Sequence, residues 1–176
     1  MSIPRFCDNI LIMEITQTKT AVFRLKTKVA SVILDGKVTI ESKKDPFVIN
    51  EPGEYEVEGV SVFGFGVGEQ KVIYLIQAEG LRVLYMANID KELTEAQIEE
   101  LGTVDTIILP VGTIEAKVMV KMVEAIEPTY VVPFEAGLAV SNFVTSYERG
   151  SREAKSLPLS LATMPQDLTE VVVLSI

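Results

Sequence analysis

Apolar and polar positions alternate through the first half of the chain. Residues 19–27 set Ala21, Phe23 and Leu25 against Lys19, Arg24 and Lys26, and residues 37–42 set Val38 and Ile40 against Lys37, Thr39 and Glu41. A period of two is the signature of a half-buried strand. Residues 9–16 and 29–34 are short apolar runs, so strands are predicted there too. Asp35-Gly36 between two such runs is a hairpin signal. Further strands are predicted over residues 47–49, 55–57, 60–65, 72–77 and 81–87. Glu51-Pro52-Gly53-Glu54 breaks the series as a turn, and Glu79-Gly80 closes a tight hairpin.

The second half changes period. Thr94-Glu95-Ala96-Gln97 has the form of a capping box and predicts a helix with Ile98 and Leu101 inward. Val118, Met119, Met122, Val123 and Ile126 recur at helical spacing within residues 114–126, ended by Pro128. Residues 106–109 and 130–132 are predicted as buried strands ending at Pro110 and Pro133. Ser141 is expected to cap a third helix reaching Tyr147. Residues 159–163 and 171–176 read as closing strands, and residues 150–156 as the most loop-like segment. Strands first and strand–helix alternation later predict a mixed α/β layered sandwich. One domain over residues 1–176 is expected, with no internal repeat.

Composition narrows the partners. A net charge of −9 argues against nucleic acid and against anionic membrane surfaces. Cys7 is the only cysteine, so no intrachain disulfide and no cysteine-based zinc cage can form. An inert buried thiol is the expected role, since the chain has no histidine to activate it. The first residues lack a leader-like apolar run, and no stretch is long enough to span a membrane, so a cytoplasmic protein is expected.

Three segments carry a family resemblance. Phe47-Val48-Ile49-Asn50-Glu51-Pro52-Gly53-Glu54-Tyr55-Glu56-Val57-Glu58-Gly59-Val60 is the first. Gly80-Leu81-Arg82-Val83-Leu84-Tyr85-Met86-Ala87-Asn88-Ile89-Asp90-Lys91-Glu92-Leu93-Thr94 is the second. The third runs from Val104-Asp105 through Ile108-Leu109-Pro110-Val111-Gly112-Thr113 to Pro133-Phe134-Glu135. In order and spacing they resemble a small branch of the metallo-β-lactamase fold superfamily, similar to the bacterial ascorbate-phosphate lactonases. The resemblance implies a layered αβ/βα sandwich, here reduced in size and strand-rich in its N-terminal half. It also implies a metal-dependent hydrolase using zinc or manganese held by histidine and carboxylate.

The chain departs from that pattern at every histidine. The family's histidine-rich loop falls where this chain has Asp35-Gly36-Lys37-Val38. Tyr85 stands at one histidine position and Glu135 at another. Asn88 replaces a bridging aspartate, and Thr113 replaces a second glycine. Neutral Asn88 and phenolic Tyr85 are poor metal ligands, so no metal cofactor is expected. The leading reading is a non-catalytic homologue acting in binding or assembly. One alternative is a lactone, ester or phosphoester hydrolase in which Asp35, Asn88, Asp90 and Glu135 hold a hard cation. Another is a small-molecule sensor with Tyr85, Asn88, Thr113, Phe134 and Glu135 around the old substrate cleft.

Other motifs read more plainly. Glu54, Glu56 and Glu58, with Glu51 nearby, alternate onto a solvated strand face. Gly64-Phe65-Gly66-Val67-Gly68 precedes a strand, not a helix, so it is expected as a hairpin and not a phosphate loop. The Met and Val stripe from Val118 to Val123 is expected as core. The many edge strands leave pairing with a second copy or another protein open.

Overall fold

The computed structural model describes residues 12–136 and 139–176. Cys7 and the start of the strand expected at residues 9–16 lie outside the described residues. Six strands form one antiparallel sheet: β1 (Met13–Lys19), β2 (Val22–Lys26), β3 (Ser31–Leu34), β4 (Val38–Glu41), β5 (Phe47–Ile49) and β13 (Ser156–Leu159). Their order is β13-β1-β2-β3-β4-β5. The second sheet has eight strands: β6 (Gly53–Val57), β7 (Val60–Gly68), β8 (Lys71–Ala78), β9 (Leu81–Tyr85), β10 (Thr106–Val111), β11 (Tyr130–Glu135), β12 (Ser151–Ala154) and β14 (Glu170–Leu174). It runs β12-β14-β11-β10-β9-β8-β7-β6, antiparallel from β6 to β9 and parallel from β9 onward.

The alternation seen in the sequence places Ile15, Phe23, Leu25, Val32 and Ile40 of the small sheet against Val62, Tyr74, Tyr85, Ile108 and Phe134 of the large one. Phe23 meets Phe134 edge to face across this layer, with ring centroids 5.3 Å apart. The other face of the large sheet carries Leu75, Leu84, Ile107 and Val131 against the helices. These are α1 (Glu95–Leu101), α2 (Ala116–Ile126) and α3 (Val140–Tyr147). Met119, Met122 and Val123 are buried core, as their spacing predicts. No helix among the described residues packs on the outer face of the small sheet, where Arg24 pairs with Glu41 at 3.3 Å. None is long and apolar enough to cross a membrane.

The capping box forms as expected: Thr94 Oγ1 accepts from the Gln97 N–H, and Gln97 Oε1 accepts from the Thr94 N–H. Four expectations are corrected. Residues 151–154 are not loop but the edge strand β12; its exposed Ser151, Arg152 and Glu153 hide it from an apolar pattern. The strand expected over residues 159–163 ends at Leu159, because Ser160 turns the chain by accepting from the Thr163 and Met164 N–H groups. Ser141 does not cap α3; Ala139 holds that place, with no side-chain cap.

The prolines do not end their strands either. β10 continues through Pro110 and β11 through Pro133. Ile108 O accepts from Met86 N–H, so by alternation the nitrogen of Pro110 also faces β9, which has already ended at Tyr85. The nitrogen of Pro133 faces β14 beyond the last paired residues, Tyr130 and Val131. Neither proline removes a ladder bond that a neighbour could make.

The glycine-rich segment lies in β7, followed by a turn and β8, so no phosphate loop is built. Gly64 has a packing reason. A Cβ there would stand 2.8 Å from Glu51 O and 3.2 Å from Pro52 Cα, where the chain crosses between the sheets. Gly64→Ala is therefore expected to cost at least about 1 kcal/mol, read as a lowered urea midpoint with an unchanged slope.

Candidate functional site

Parallel strands present their carboxyl ends on one side of a sheet, where open α/β folds place their ligands. β9 ends at Tyr85 and leads into Ala87, Asn88, Ile89 and Asp90. β10 ends at Val111 and turns through Gly112 at φ +104° to Thr113. Asn88, Ile89, Asp90 and Thr113 line a cleft of about 590 Å³, together with Gly36, Asn50, Lys71 and Tyr74.

The turn between β3 and β4 sits against this site. Leu34 pairs with Val38, leaving Asp35, Gly36 and Lys37 as the loop, with Gly36 at φ +88°. The Gly36 N–H donates to Tyr85 Oη at 2.7 Å. Asn88 Nδ2 donates to Gly36 O, also at 2.7 Å. Both polar backbone groups of one residue are thus held by two side chains from the end of β9. Tyr85 is fully buried in the layer between the sheets.

Burial pushes the Tyr85 hydroxyl up to about 12. The Gly36 N–H opposes that shift, while the carboxylate of Asp35 and the phenol of Tyr74 add to it. Tyr85 is therefore protonated at neutral pH. Unfolded, the phenol ionises near 10.0, well below its folded value. Above that pH the unfolded chain gives up a proton that the folded chain keeps, so stability is expected to fall as pH rises from about 10 to about 12. Tyr85→Phe is expected to make that alkaline fall shallower, measured by urea denaturation across this range.

Asp90 is exposed at the cleft and bonds the Lys71 ammonium, whose hydrogen bond holds the carboxyl below its usual range. Thr113 Oγ1 is buried with no hydrogen-bond partner among the described residues. Asp35 is exposed, and its N–H donates to Lys37 O at 3.2 Å. Glu135, also exposed, lies on a separate cavity of about 300 Å³ with Gln17, Thr20 and Phe134. The structure thus brings Tyr85, Asn88, Asp90 and Thr113 to one place and leaves Glu135 and Phe134 outside it. Gly36 and Lys71 complete the place. The Asp35-Gly36 turn is visible in the sequence, but nothing local joins it to residues 49 and 52 positions onward.

A zinc or manganese pair requires several anionic or imidazole ligands converging on one point. Among the described residues no three Asp, Glu, Cys or His side chains converge in that way. The acidic residues Glu54, Glu56 and Glu58 are exposed and form no such group either. Asp90 is engaged by an ammonium, Asn88 by a carbonyl, and Tyr85 by an amide N–H. The residues at the ends of β9 and β10 do not fit the metals that the fold family uses. They offer neutral donors and acceptors around an ion pair, which suits recognition of a polar molecule by hydrogen bonds.

The family model described as "Beta-lactamase superfamily domain" matches residues 8–135. A metallo-beta-lactamase superfamily protein from Thermotoga maritima, solved by crystallography, shares 22% identity and a TM-score of 0.73. That match covers 93% of this chain and 100% of the other, and it shows the layered fold. The metallo-beta-lactamase fold protein YhfI from Bacillus subtilis matches at 9% identity and TM-score 0.48, over 70% of this chain and 49% of its own. The diiron β-hydroxylase CmlA from Streptomyces venezuelae matches at 15% identity and TM-score 0.46, over 63% and 34%. These last two are too distant to carry an argument. No curated protein matches the chain.

Proposed function

The chain belongs to the beta-lactamase superfamily, and we propose that it is a non-catalytic member acting by binding, without a divalent metal at the ends of β9 and β10. The observation that carries this reading is the clamp on Gly36. Tyr85 and Asn88 hold the amide and the carbonyl of that residue. With its amide nitrogen turned to Gly36 O, Asn88 brings no anionic oxygen, and the Tyr85 phenol stays protonated, so neither is the charged ligand that a metal pair requires. The neighbouring cleft, with Asn50, Lys71, Asn88, Asp90 and Thr113 on its walls, is the binding surface of this reading. Its ligand is small and polar, recognised by hydrogen bonds.

Elemental analysis of tag-free protein tests the proposal. Zinc, manganese and iron are expected far below one ion per chain, and millimolar Mn²⁺ or Mg²⁺ is expected to leave the melting temperature unchanged. About one or two tightly held ions per chain would sink the reading and point to a rebuilt site.

A further inference from the structure

On one side of the sandwich the two sheets end in neighbouring edge strands, β5 and β6, joined by the turn through Glu51 and Pro52. We propose that β6 is an acceptor edge for an extended segment of another protein, in which basic and apolar residues alternate.

The backbone supplies the first argument. Glu58 at φ 51° and Gly59 at φ 76° form a two-residue turn of type I′ between β6 and β7. The residues that flank such a turn, here Val57 and Val60, are a hydrogen-bonded pair. Alternation along the ladder then gives Tyr55 and Val57 the bonds to β7 and turns the N–H and C=O of Glu54 and Glu56 outward. Those four groups have no partner among the described residues. They are the donors and acceptors that an added strand uses.

The side chains say what that strand carries. Tyr55 packs against the layer between the sheets, with its ring 6.3 Å from that of Phe47 on β5, and Phe47 is 42% exposed. A strand added to β6 continues this face and lays apolar side chains over the two rings. Glu54 and Glu56 point to the opposite face. Both are exposed, and no ion pair among the described residues involves them. Opposite charges attract across paired strands, so Lys or Arg fits there. The net charge of −9 speeds the approach of a basic segment.

A second copy of this chain does not fit the same edge. Two-fold antiparallel pairing keeps each side chain on its own face, so Glu54, Glu56 and Glu58 would always stand opposite one another. None of residues 53–57 lines the cleft at the ends of β9 and β10, so the edge and the cleft are tested separately.

The test is a titration of the full chain with the capped peptide Lys-Val-Lys-Val-Lys-Val, followed by amide hydrogen exchange. A dissociation constant of about 1 mM or tighter is expected. At saturation the exchange of the Glu54 and Glu56 N–H groups should slow about tenfold or more, and that of Tyr55 and Val57, already bonded to β7, should change less. The same residues in the order Lys-Lys-Lys-Val-Val-Val should bind about tenfold more weakly. Glu54→Gln with Glu56→Gln should weaken binding about tenfold. Glu56→Pro removes one outward N–H without taking a bond from β7, and should bind about tenfold more weakly than Glu56→Gln. Should the proline variant misfold, the glutamine pair and the exchange pattern still decide. No saturation by about 10 mM peptide, equal binding of the block peptide, or unchanged exchange at Glu54 and Glu56 would each overturn the proposal. So would protection of those two amides in the free chain, with sedimentation then showing whether a second copy covers the edge.

Discussion

Tyr85→Ala is expected to lower the free energy of unfolding by about 3–5 kcal/mol, and Tyr85→Phe by about 1–2 kcal/mol. The difference separates two roles of one side chain. The ring fills the layer between the sheets beside Tyr74 and is fully buried; its removal leaves a cavity that rigid strands on both sides cannot close. The hydroxyl accepts the Gly36 N–H at 2.7 Å; its removal leaves a part-buried donor unpaired. Urea denaturation of both variants gives the two numbers. A double-mutant cycle with Asn88→Ala should then show a coupling of about 0.5 kcal/mol or more, since both side chains hold the same residue. Additive effects would mean that the two bonds are independent and that Gly36 is not held as a unit.

Much of the architecture follows from local pattern. The period-two alternation of residues 19–27 and 37–42 identifies which side chains face the second sheet, and Phe23, Leu25, Val38 and Ile40 are all fully buried. Asp35-Gly36 and Thr94–Gln97 act within a few residues, so their hairpin and helix cap can be read directly. Pro110 and Pro133 mislead because whether a proline breaks a ladder depends on the neighbouring strand, which local sequence does not specify. β12 misleads for a related reason: an edge strand with exposed polar side chains is held by its backbone ladder to β14 and by the Arg152–Glu170 ion pair, neither of which leaves an apolar pattern in the sequence. The site divides in the same way. The resemblance identifies Tyr85, Asn88 and Thr113 as the altered positions, but their partners are tertiary. Gly36 reaches Tyr85 and Asn88 across the sandwich, and Lys71 meets Asp90 across the mouth of the cleft. Glu135 shows the reverse case, a residue that aligns with a family histidine in sequence and lines a different cavity in space.

Asn88→Asp is the sharpest test of what the site has become. Were the ends of β9 and β10 a metal site short of one carboxylate, this substitution would restore a ligand and a divalent ion would stabilise the product. The Gly36 clamp predicts the opposite. Asn88 Nδ2 is a donor to Gly36 O at 2.7 Å; an aspartate oxygen in its place presents a negative charge to a carbonyl. The variant is expected to lose about 3 kcal/mol at neutral pH, more than a lost neutral hydrogen bond because a part-buried charge is left facing an acceptor. The pH dependence gives the sign. Repulsion from Gly36 O raises the new carboxyl's folded pKa above its unfolded one, so the folded state binds the proton more tightly. Stability should therefore recover relative to the parent chain as pH falls toward the ordinary carboxylate range, where a protonated acid can donate to Gly36 O as the amide does. Millimolar Mn²⁺ or Zn²⁺ should leave the melting temperature of the variant unmoved. A variant that is as stable as the parent at neutral pH, or that is stabilised by either ion, would show that Asn88 still stands at a ligand position and that the hold on Gly36 is incidental.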